Sequence, residues 1–134
     1  MTKQNAKIVL VEDDVVLSDM YIKKFSMEGY DIERAMDGEE GLALVRKVKP
    51  DIVLLDIMMP KKNGLDTLKD IRADSDAKVQ KAYVVLLTNV GEQNYVDEGF
   101  KLGANQYLMK SNFTPKEVVQ KVEEWLGNLK VDND

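Results

Sequence analysis

Acidic side chains follow two apolar segments of this chain, and a hydroxyl and a lysine follow two others. Glu12 and Asp13 come after the first segment, Asp56 after the third, Thr88 after the fourth and Lys110 after the fifth. Two carboxylates about 5 Å apart repel by roughly 3 kcal/mol at an effective dielectric near 20, so a group of such acids needs a neutralising cation. Mg²⁺ suits this role, because it binds a few carboxylate oxygens and retains several waters.

Asp56 is the candidate nucleophile, because it ends an apolar segment and is followed by the turn sequence Ile57-Met58-Met59-Pro60. A carboxylate can attack phosphorus to give an acyl phosphate. Phosphoryl transfer needs positioning and charge neutralisation more than acid–base groups, and the chain contains no histidine. The cation, the Lys110 ammonium and the Thr88 hydroxyl would together supply that neutralisation.

Each of these residues also has a purely structural interpretation. The acids could simply begin loops or helices, as we expect of Asp14, which is placed to cap the first helix. Taken alone, Lys110 would be a solvated surface lysine and Thr88 a strand-end hydroxyl. Their shared position at the ends of strands favours the functional interpretation.

Short apolar runs predict five strands, at residues 8–11, 30–36, 52–55, 84–87 and 107–109. Continuous runs are typical of strands buried on both faces of a parallel sheet. The segments between them have helical spacing, with shared faces at Leu17, Met20, Tyr21 and Phe25, at Leu65, Leu68 and Ile71, and at Val118, Val122, Trp125 and Leu129. Two helix starts are also predicted, by a capping box at Thr114-Pro115-Lys116-Glu117 and the same cap-to-acid spacing from Asp37 to Glu40. The order predicts a parallel sheet with helices on both faces, whose ligands would lie beyond the carboxyl ends of the strands.

Composition excludes several classes of function. The net charge of −5 argues against direct nucleic-acid binding, and the absence of cysteine excludes disulfides and thiolate metal sites. Residues 1–7 are polar, unlike a secretory signal, and no apolar run approaches the roughly 20 residues that span a bilayer. We therefore expect one cytoplasmic domain over residues 1–134, with a core at about 6–129 and frayed ends at 1–5 and 131–134.

The sequence resembles the response-regulator receiver family from about residue 6 to about residue 129. Four motifs carry the resemblance, in order: Val11-Glu12-Asp13, Asp56-Ile57-Met58-Met59-Pro60 with Gly64, Leu87-Thr88, and Gly103-Ala104-Asn105-Gln106-Tyr107-Leu108-Met109-Lys110. The resemblance implies a flavodoxin-like (βα)5 doubly wound fold with strand order 2-1-3-4-5. It also implies a signalling switch rather than an enzyme, in which Asp56 takes a phosphoryl group from a histidine kinase or a histidine phosphotransfer protein.

Roles for individual residues follow from the same resemblance. Asp13 would bind Mg²⁺ directly, Glu12 through water and Met58 through its backbone carbonyl, beside Asp56 itself. Thr88 would move toward the phosphoryl group, and Tyr107 would rotate inward into the vacated space. The face made by the fourth helix, last strand and fifth helix would then change its affinity for an output protein. Tyr107 could equally be a half-buried aromatic without that role.

The chain departs from the family pattern at three places, the first of which is Tyr83, near which the family usually has a proline before the fourth strand. Asn89 follows Thr88 where the family usually has a small residue, and Ser111 follows Lys110 where the family usually has proline after a cis bond. A cis bond before serine would cost about 3 kcal/mol, so we doubt that the Lys110–Ser111 bond is cis. The resemblance also implies that the side chains two residues beyond Asp56 and two beyond Thr88, here Met58 and Val90, flank the approach of water to an acyl phosphate. Both are apolar, which predicts a long-lived phosphorylated state.

Three other interpretations compete with a phosphorylated switch. A flavodoxin-type cofactor binder needs a phosphate cradle after the first strand, where Glu12-Asp13-Asp14 would repel phosphate. A haloacid-dehalogenase-like phosphatase needs a second acid two residues after the nucleophile, where this chain has Met58. A non-phosphorylated pseudo-receiver would act only as an interaction module. Such proteins typically lose one of the residues needed for phosphorylation, whereas this chain keeps Asp13, Asp56, Thr88 and Lys110.

Overall fold

A computed structural model describes the backbone of residues 6–133 and the side chains of residues 6–129. Residues 1–5 and residue 134, on which the predicted frayed ends fall, lie outside the described residues. The last helix continues through residues 131–133, where we expected the other frayed segment.

Five strands alternate with helices along the chain. The strands are β1 (Lys7–Val11), β2 (Asp31–Ala35), β3 (Ile52–Asp56), β4 (Tyr83–Thr88) and β5 (Gln106–Met109). The helices are α1 (Val15–Met27), α2 (Gly38–Val48), α3 (Gly64–Arg72), α4 (Ala77–Gln80), α5 (Gln93–Lys101) and α6 (Pro115–Asn133), and a 3-10 turn spans Lys110–Asn112. Across the part of the chain that is described, no helix combines the length and apolarity needed to cross a membrane.

The strands form one parallel sheet in the order β2-β1-β3-β4-β5. This confirms the predicted flavodoxin-like fold and its strand order. The register places Asp56 opposite Leu87 and Thr88 opposite Met109. Because all carboxyl ends lie at one edge of a parallel sheet, the candidate site residues meet at that edge.

Apolar side chains cover both faces of the sheet, as continuous apolar strands require. Successive residues of a strand belong to two different apolar clusters, one on each face of the sheet. Val9, Val53 and Leu86 pack on one side, and Leu10, Leu54 and Leu87 pack on the opposite side. The first side is covered by α2, α3, α4 and α5, and the second by α1 and α6. The central strands β1, β3 and β4 are almost completely buried.

The predicted helix starts are confirmed by their hydrogen bonds. Asp14 caps α1 by accepting from the Leu17 N–H at 3.0 Å, and Asp37 caps α2 by accepting from the Glu40 N–H at 2.8 Å. At α6, the Thr114 N–H donates to Glu117 and the Glu117 N–H donates back to the Thr114 hydroxyl. These caps satisfy N–H groups that have no partner inside the helix.

Two sequence predictions were wrong in detail. Met20 is exposed rather than on the core face of α1, because Ser18 is buried there instead, where its hydroxyl accepts from Arg34 of β2. The single-turn helix α4 was not predicted, so the expected fourth and fifth helices are α5 and α6. The surface predicted to change on phosphorylation is therefore the α5–β5–α6 face.

Candidate functional site

Three carboxylates meet at the carboxyl edge of the sheet. Oxygen atoms of Glu12, Asp13 and Asp56 all lie within 4.8 Å of one another. Glu12 and Asp56 are buried, whereas Asp13 is exposed. The structure thus brings together the acids that the sequence placed after β1 and at the end of β3.

Lys110 reaches these acids from the end of β5. Its Nζ lies 2.7 Å from Glu12 Oε1 and 3.3 Å from Asp56 Oδ2. Burial by itself would lower the pKa of Lys110, but the hydrogen bond to Glu12 and the charge of Asp56 raise that pKa overall. The lysine therefore stays charged. We call Glu12, Asp56 and Lys110 the charged cluster.

Asp56 has one oxygen near Lys110 and one oxygen without a partner. The residue is 2% exposed, and within the described residues its Oδ1 accepts no hydrogen bond. Burial, followed by the hydrogen bond and charge of Glu12, raises the pKa of Asp56 to about 8, and Lys110 opposes this rise. One ammonium group thus balances only part of the negative charge, and a buried unpaired oxygen is unfavourable.

This donor set fits Mg²⁺. The ion prefers carboxylate and carbonyl oxygens, keeps several waters, and would neutralise the charge that Lys110 leaves unbalanced. The exposed Asp13 provides access from solvent, and the unpaired Oδ1 of Asp56 provides a buried ligand atom. The Met58 carbonyl remains a predicted ligand, on a loop whose Met58 side chain is half exposed.

Gly64 explains how that loop can follow Asp56 so closely. Its N–H donates to the Ile57 carbonyl at 2.7 Å, and a Cβ at this position would stand 2.2 Å from the Asp56 carbonyl oxygen. Only glycine permits this approach of α3 to the end of β3. The Gly64 of the sequence motif therefore has a steric role.

Thr88 ends β4 and Asn89 follows it, at the same edge of the sheet as the charged cluster. The Thr88 hydroxyl is buried and donates to the Leu108 carbonyl of β5 at 3.3 Å. The Asn89 N–H donates to Glu92 Oε1 at 2.9 Å, and its side-chain amide lies 3.4 Å from Glu92 Oε2. Sequence reasoning missed Glu92, although its three-residue spacing from Asn89 was a usable signal.

Tyr107 lies on the exposed side of β5. Its side chain is 41% exposed, and its ring packs edge to face on Phe100 of α5, with centroids 6.1 Å apart. The described chain contains no cis peptide bond, so the Lys110–Ser111 bond is trans, as expected.

Tyr21 is a further residue whose place near the site was not foreseen. The sequence predicted it as part of the core face of α1, and its side chain is indeed buried. However, its hydroxyl has no hydrogen-bond partner within the described residues. Burial raises the pKa of Tyr21 to about 12, and the charges of Lys110, Glu12 and Asp56 also act on it. The sequence did contain a signal for this role, because a tyrosine occupies a core position of α1 that an apolar residue could fill.

Known proteins are similar to this chain in sequence. A family model described as the response regulator receiver domain matches residues 8–123. The transcriptional regulatory protein CpxR of Klebsiella pneumoniae is 40% identical over 116 residues, which are 87% of this chain and 47% of CpxR. The DNA-binding response regulator MtrA of Mycobacterium tuberculosis is 38% identical over 122 residues, 91% of this chain and 51% of MtrA.

The fold is also that of solved receiver structures. The chemotaxis response regulator CheY4 of Vibrio cholerae superposes with a TM-score of 0.79 at 27% identity, covering 89% of this chain and 97% of that protein. The chain spans about half the length of the curated relatives that it matches.

Proposed function

This chain belongs to the response regulator receiver domain family of two-component signalling, and we propose that its Asp56 accepts a phosphoryl group from a histidine kinase or a histidine phosphotransfer protein. The observation that carries the proposal is the state of the Asp56 carboxylate. One of its oxygens contacts Lys110 at 3.3 Å, while the other is buried without a partner among the described residues. A structural carboxylate would have both oxygens satisfied.

The proposed reaction is a single displacement at phosphorus. An oxygen of Asp56 forms a bond to phosphorus, the bond from phosphorus to the imidazole nitrogen of the donor breaks, and the electron pair leaves with that nitrogen. Lys110 holds positive charge beside the attacking carboxylate, and the Thr88 hydroxyl, which ends the neighbouring strand β4, would reorient toward the product. Both residues stabilise charge on phosphoryl oxygens, which is the main requirement of phosphoryl transfer.

We assign the Mg²⁺ ligands to the same edge of the sheet. Asp13 and Asp56 would bind the ion through their carboxylates, Glu12 through water and Met58 through its carbonyl oxygen. When bound, Mg²⁺ would neutralise the acids and the incoming phosphoryl oxygens. The role of the protein is to hold these oxygens together, and the bound ion would offset the electrostatic repulsion between them.

The output would be a changed protein-binding surface, with Thr88 and Tyr107 linking the phosphoryl group to the α5–β5–α6 face. The hydroxyl of Thr88 donates to the carbonyl of Leu108, which is the neighbour of Tyr107 on β5. A movement of Thr88 toward Asp56 would break that bond and so affect β5 directly. Because the phosphoryl group of a histidine kinase comes from ATP, we place this reaction in the cytoplasm.

Intact-mass measurement after incubation with acetyl phosphate and Mg²⁺ tests the proposal. Wild type should gain one phosphoryl group, and Asp56→Asn should gain none. Asp51→Asn is the matched control, because Asp51 lies at the opposite end of β3 and accepts from the Lys7 N–H instead. This control should be phosphorylated like wild type, and chelation of the metal should abolish the gain in both.

Equal mass gain in wild type and Asp56→Asn would refute the assignment of Asp56. No gain in wild type with any phosphodonor would instead favour a pseudo-receiver that acts without phosphorylation.

A further inference from the structure

Tyr21 of α1 lies on the same side of the sheet as the charged cluster. It is 1% exposed and packs in the apolar cluster that contains the strand residues two positions before each charged residue, namely Leu10, Leu54 and Leu108. Side chains two positions apart along a strand point to the same face. Leu54 and Asp56 are both in β3, so Tyr21 faces the side of the sheet from which Asp56 projects. Lys110, which contacts both acids, holds Glu12 beside Asp56.

The direction of the helix brings the Tyr21 ring toward these charges. Helix α1 begins at Val15, directly after the acidic run at the carboxyl edge of the sheet. Side chains of an α-helix lean toward its N-terminus. The buried ring of Tyr21 therefore points along the face of the sheet toward its carboxyl edge. The influence of Lys110, Glu12 and Asp56 on the ionisation of Tyr21 agrees with this placement.

The hydroxyl of Tyr21 is the part that packing does not explain. A phenylalanine would fill nearly the same apolar space, and the buried oxygen has no hydrogen-bond partner within residues 6–129. A buried hydroxyl without a partner is destabilising, so it usually has a functional or water-mediated partner. Lys110 offers such a partner, because its ammonium group has three N–H donors and its contacts to Glu12 and Asp56 use two.

We propose that Tyr21 is a positioning residue for Lys110, whose third N–H it accepts through a bridging water. The bridge fixes the orientation of the ammonium group beside Asp56, so that the lysine is already placed to meet the phosphoryl oxygens. The inference rests on the proposed phosphorylation of Asp56 and adds a residue on α1 to that site.

The test compares Tyr21→Phe with Tyr30→Phe. Tyr30 is the matched control, because it is also a buried tyrosine of the same apolar cluster and packs edge to face on Phe25. The electrostatic neighbours of its hydroxyl are Glu123 and Glu28 rather than the charged cluster. Phosphorylation by acetyl phosphate is followed over a range of Mg²⁺ concentrations, after both variants are shown to be folded.

We expect Tyr21→Phe to lower the phosphorylation rate at saturating Mg²⁺ about three- to tenfold, because an orientation of the reacting groups is lost. The Mg²⁺ concentration at half saturation should stay unchanged, since the carboxylates are intact. Tyr30→Phe should match wild type in both quantities. In a Lys110→Ala background, Tyr21→Phe should cause no further loss, because the hydroxyl acts through the lysine.

A second readout needs neither metal nor phosphodonor. The side-chain NMR resonances of Lys110 should shift in Tyr21→Phe and stay in place in Tyr30→Phe. If wild type is phosphorylated and Tyr21→Phe has the same phosphorylation rate and the same Lys110 resonances, the inference about Tyr21 is wrong, whereas the proposed function is not affected. If Tyr21→Phe lowers the phosphorylation rate by the same factor in the Lys110→Ala background as in wild type, the inference is also wrong. That result would mean that the hydroxyl acts through packing and not through Lys110. A wild type that is never phosphorylated would overturn the proposed function itself.

Discussion

The ammonium group of Lys110 lies 2.7 Å from Glu12, closer than the 3.3 Å that separates it from Asp56. The lysine is thus paired first with the neighbouring acid and only second with the proposed nucleophile. One cation serves two buried carboxylates, and the oxygen of Asp56 that faces away from it has no partner in the described part of the chain. In the absence of a metal ion, this arrangement stores unfavourable electrostatic energy in the folded state.

We therefore predict that Asp56→Asn stabilises the protein when no divalent cation is present. Asparagine keeps the shape of the side chain and, above about pH 8 where Asp56 is ionised, removes one buried charge, which should raise the free energy of unfolding by about 1–3 kcal/mol. Urea denaturation with a chelator measures this difference. The difference should shrink or reverse with saturating Mg²⁺, because only wild type retains all carboxylate ligands. A variant less stable than wild type in chelator would contradict the prediction.

The same stability difference should depend on pH. Burial raises the pKa of Asp56 to about 8 from an ordinary value near 3.8, so the folded protein binds a proton that the unfolded chain releases. Stability of wild type should fall as the pH rises from about 4 to about 8, since the folded state then binds more protons than the unfolded state. Asp56→Asn lacks this contribution. Its advantage over wild type should therefore be small near pH 4 and largest above pH 8.

The two exposed acids after β1 should behave differently on substitution. Asp13 is part of the carboxylate group, whereas Asp14 accepts the Leu17 N–H at the start of α1. Asp13→Asn should weaken Mg²⁺ binding about tenfold or more, because a charged ligand is lost. Asp14→Asn should leave Mg²⁺ binding nearly unchanged and cost about 1 kcal/mol of stability or less, since asparagine also caps helices. Titration of both variants with Mg²⁺ decides, and the reverse ranking would reject the assigned ligands.

Much of this site could be predicted because the fold dictates it. Continuous apolar runs place β1, β3 and β4 in the centre of a parallel sheet, and the residues that end those strands must then lie at one edge. The positions of Asp56 and Thr88 at that edge followed from the apolar runs alone, and so did the position of Lys110 after the run that forms β5. The caps Asp14 and Thr114 were equally local, because each acts on a backbone group three residues away.

Contacts between distant segments could not be predicted in the same way. Arg72 donates to the carbonyls of Gln80, Ala82 and Gly103 and so joins α3 to α4, to the residue before β4 and to the turn between α5 and β5. Those acceptors are backbone groups, which leave no trace in the residue types. The extra turn α4 and the exposure of Met20 were missed for a related reason, because both depend on which neighbour occupies the adjoining space.

Thr88 should couple phosphorylation to the α5–β5–α6 face. Its hydroxyl donates to Leu108 in this structure, and the two-state claim requires that a phosphoryl group biases this bond. Thr88→Ala should leave Asp56 phosphorylatable but reduce the amide shift changes of that face on adding beryllofluoride and Mg²⁺. Tyr107→Phe is the comparison, since it keeps the ring that packs on Phe100. Unchanged amide spectra of this face in wild type, with and without the mimic, would reject the switch.

The last prediction concerns the lifetime of the phosphorylated state. Hydrolysis requires a water held in line with the bond from Asp56 to phosphorus, and positioning is a large part of such a rate. The side chains expected beside that approach are Met58 and Val90, which are 48% and 76% exposed and cannot hydrogen-bond a water. Asn89 could, but its amide already lies 3.4 Å from Glu92.

We therefore expect slow decay in wild type and faster decay, by about tenfold, in Met58→Asn and Val90→Glu, which each supply a group that can orient water. The measurement follows phosphorylated protein by intact mass after removal of the phosphodonor. Met58→Leu and Val90→Ile are the matched controls, because they change shape without adding a polar group, and they should decay like wild type. If both polar variants decay at the wild-type rate or more slowly, Met58 and Val90 do not set the lifetime.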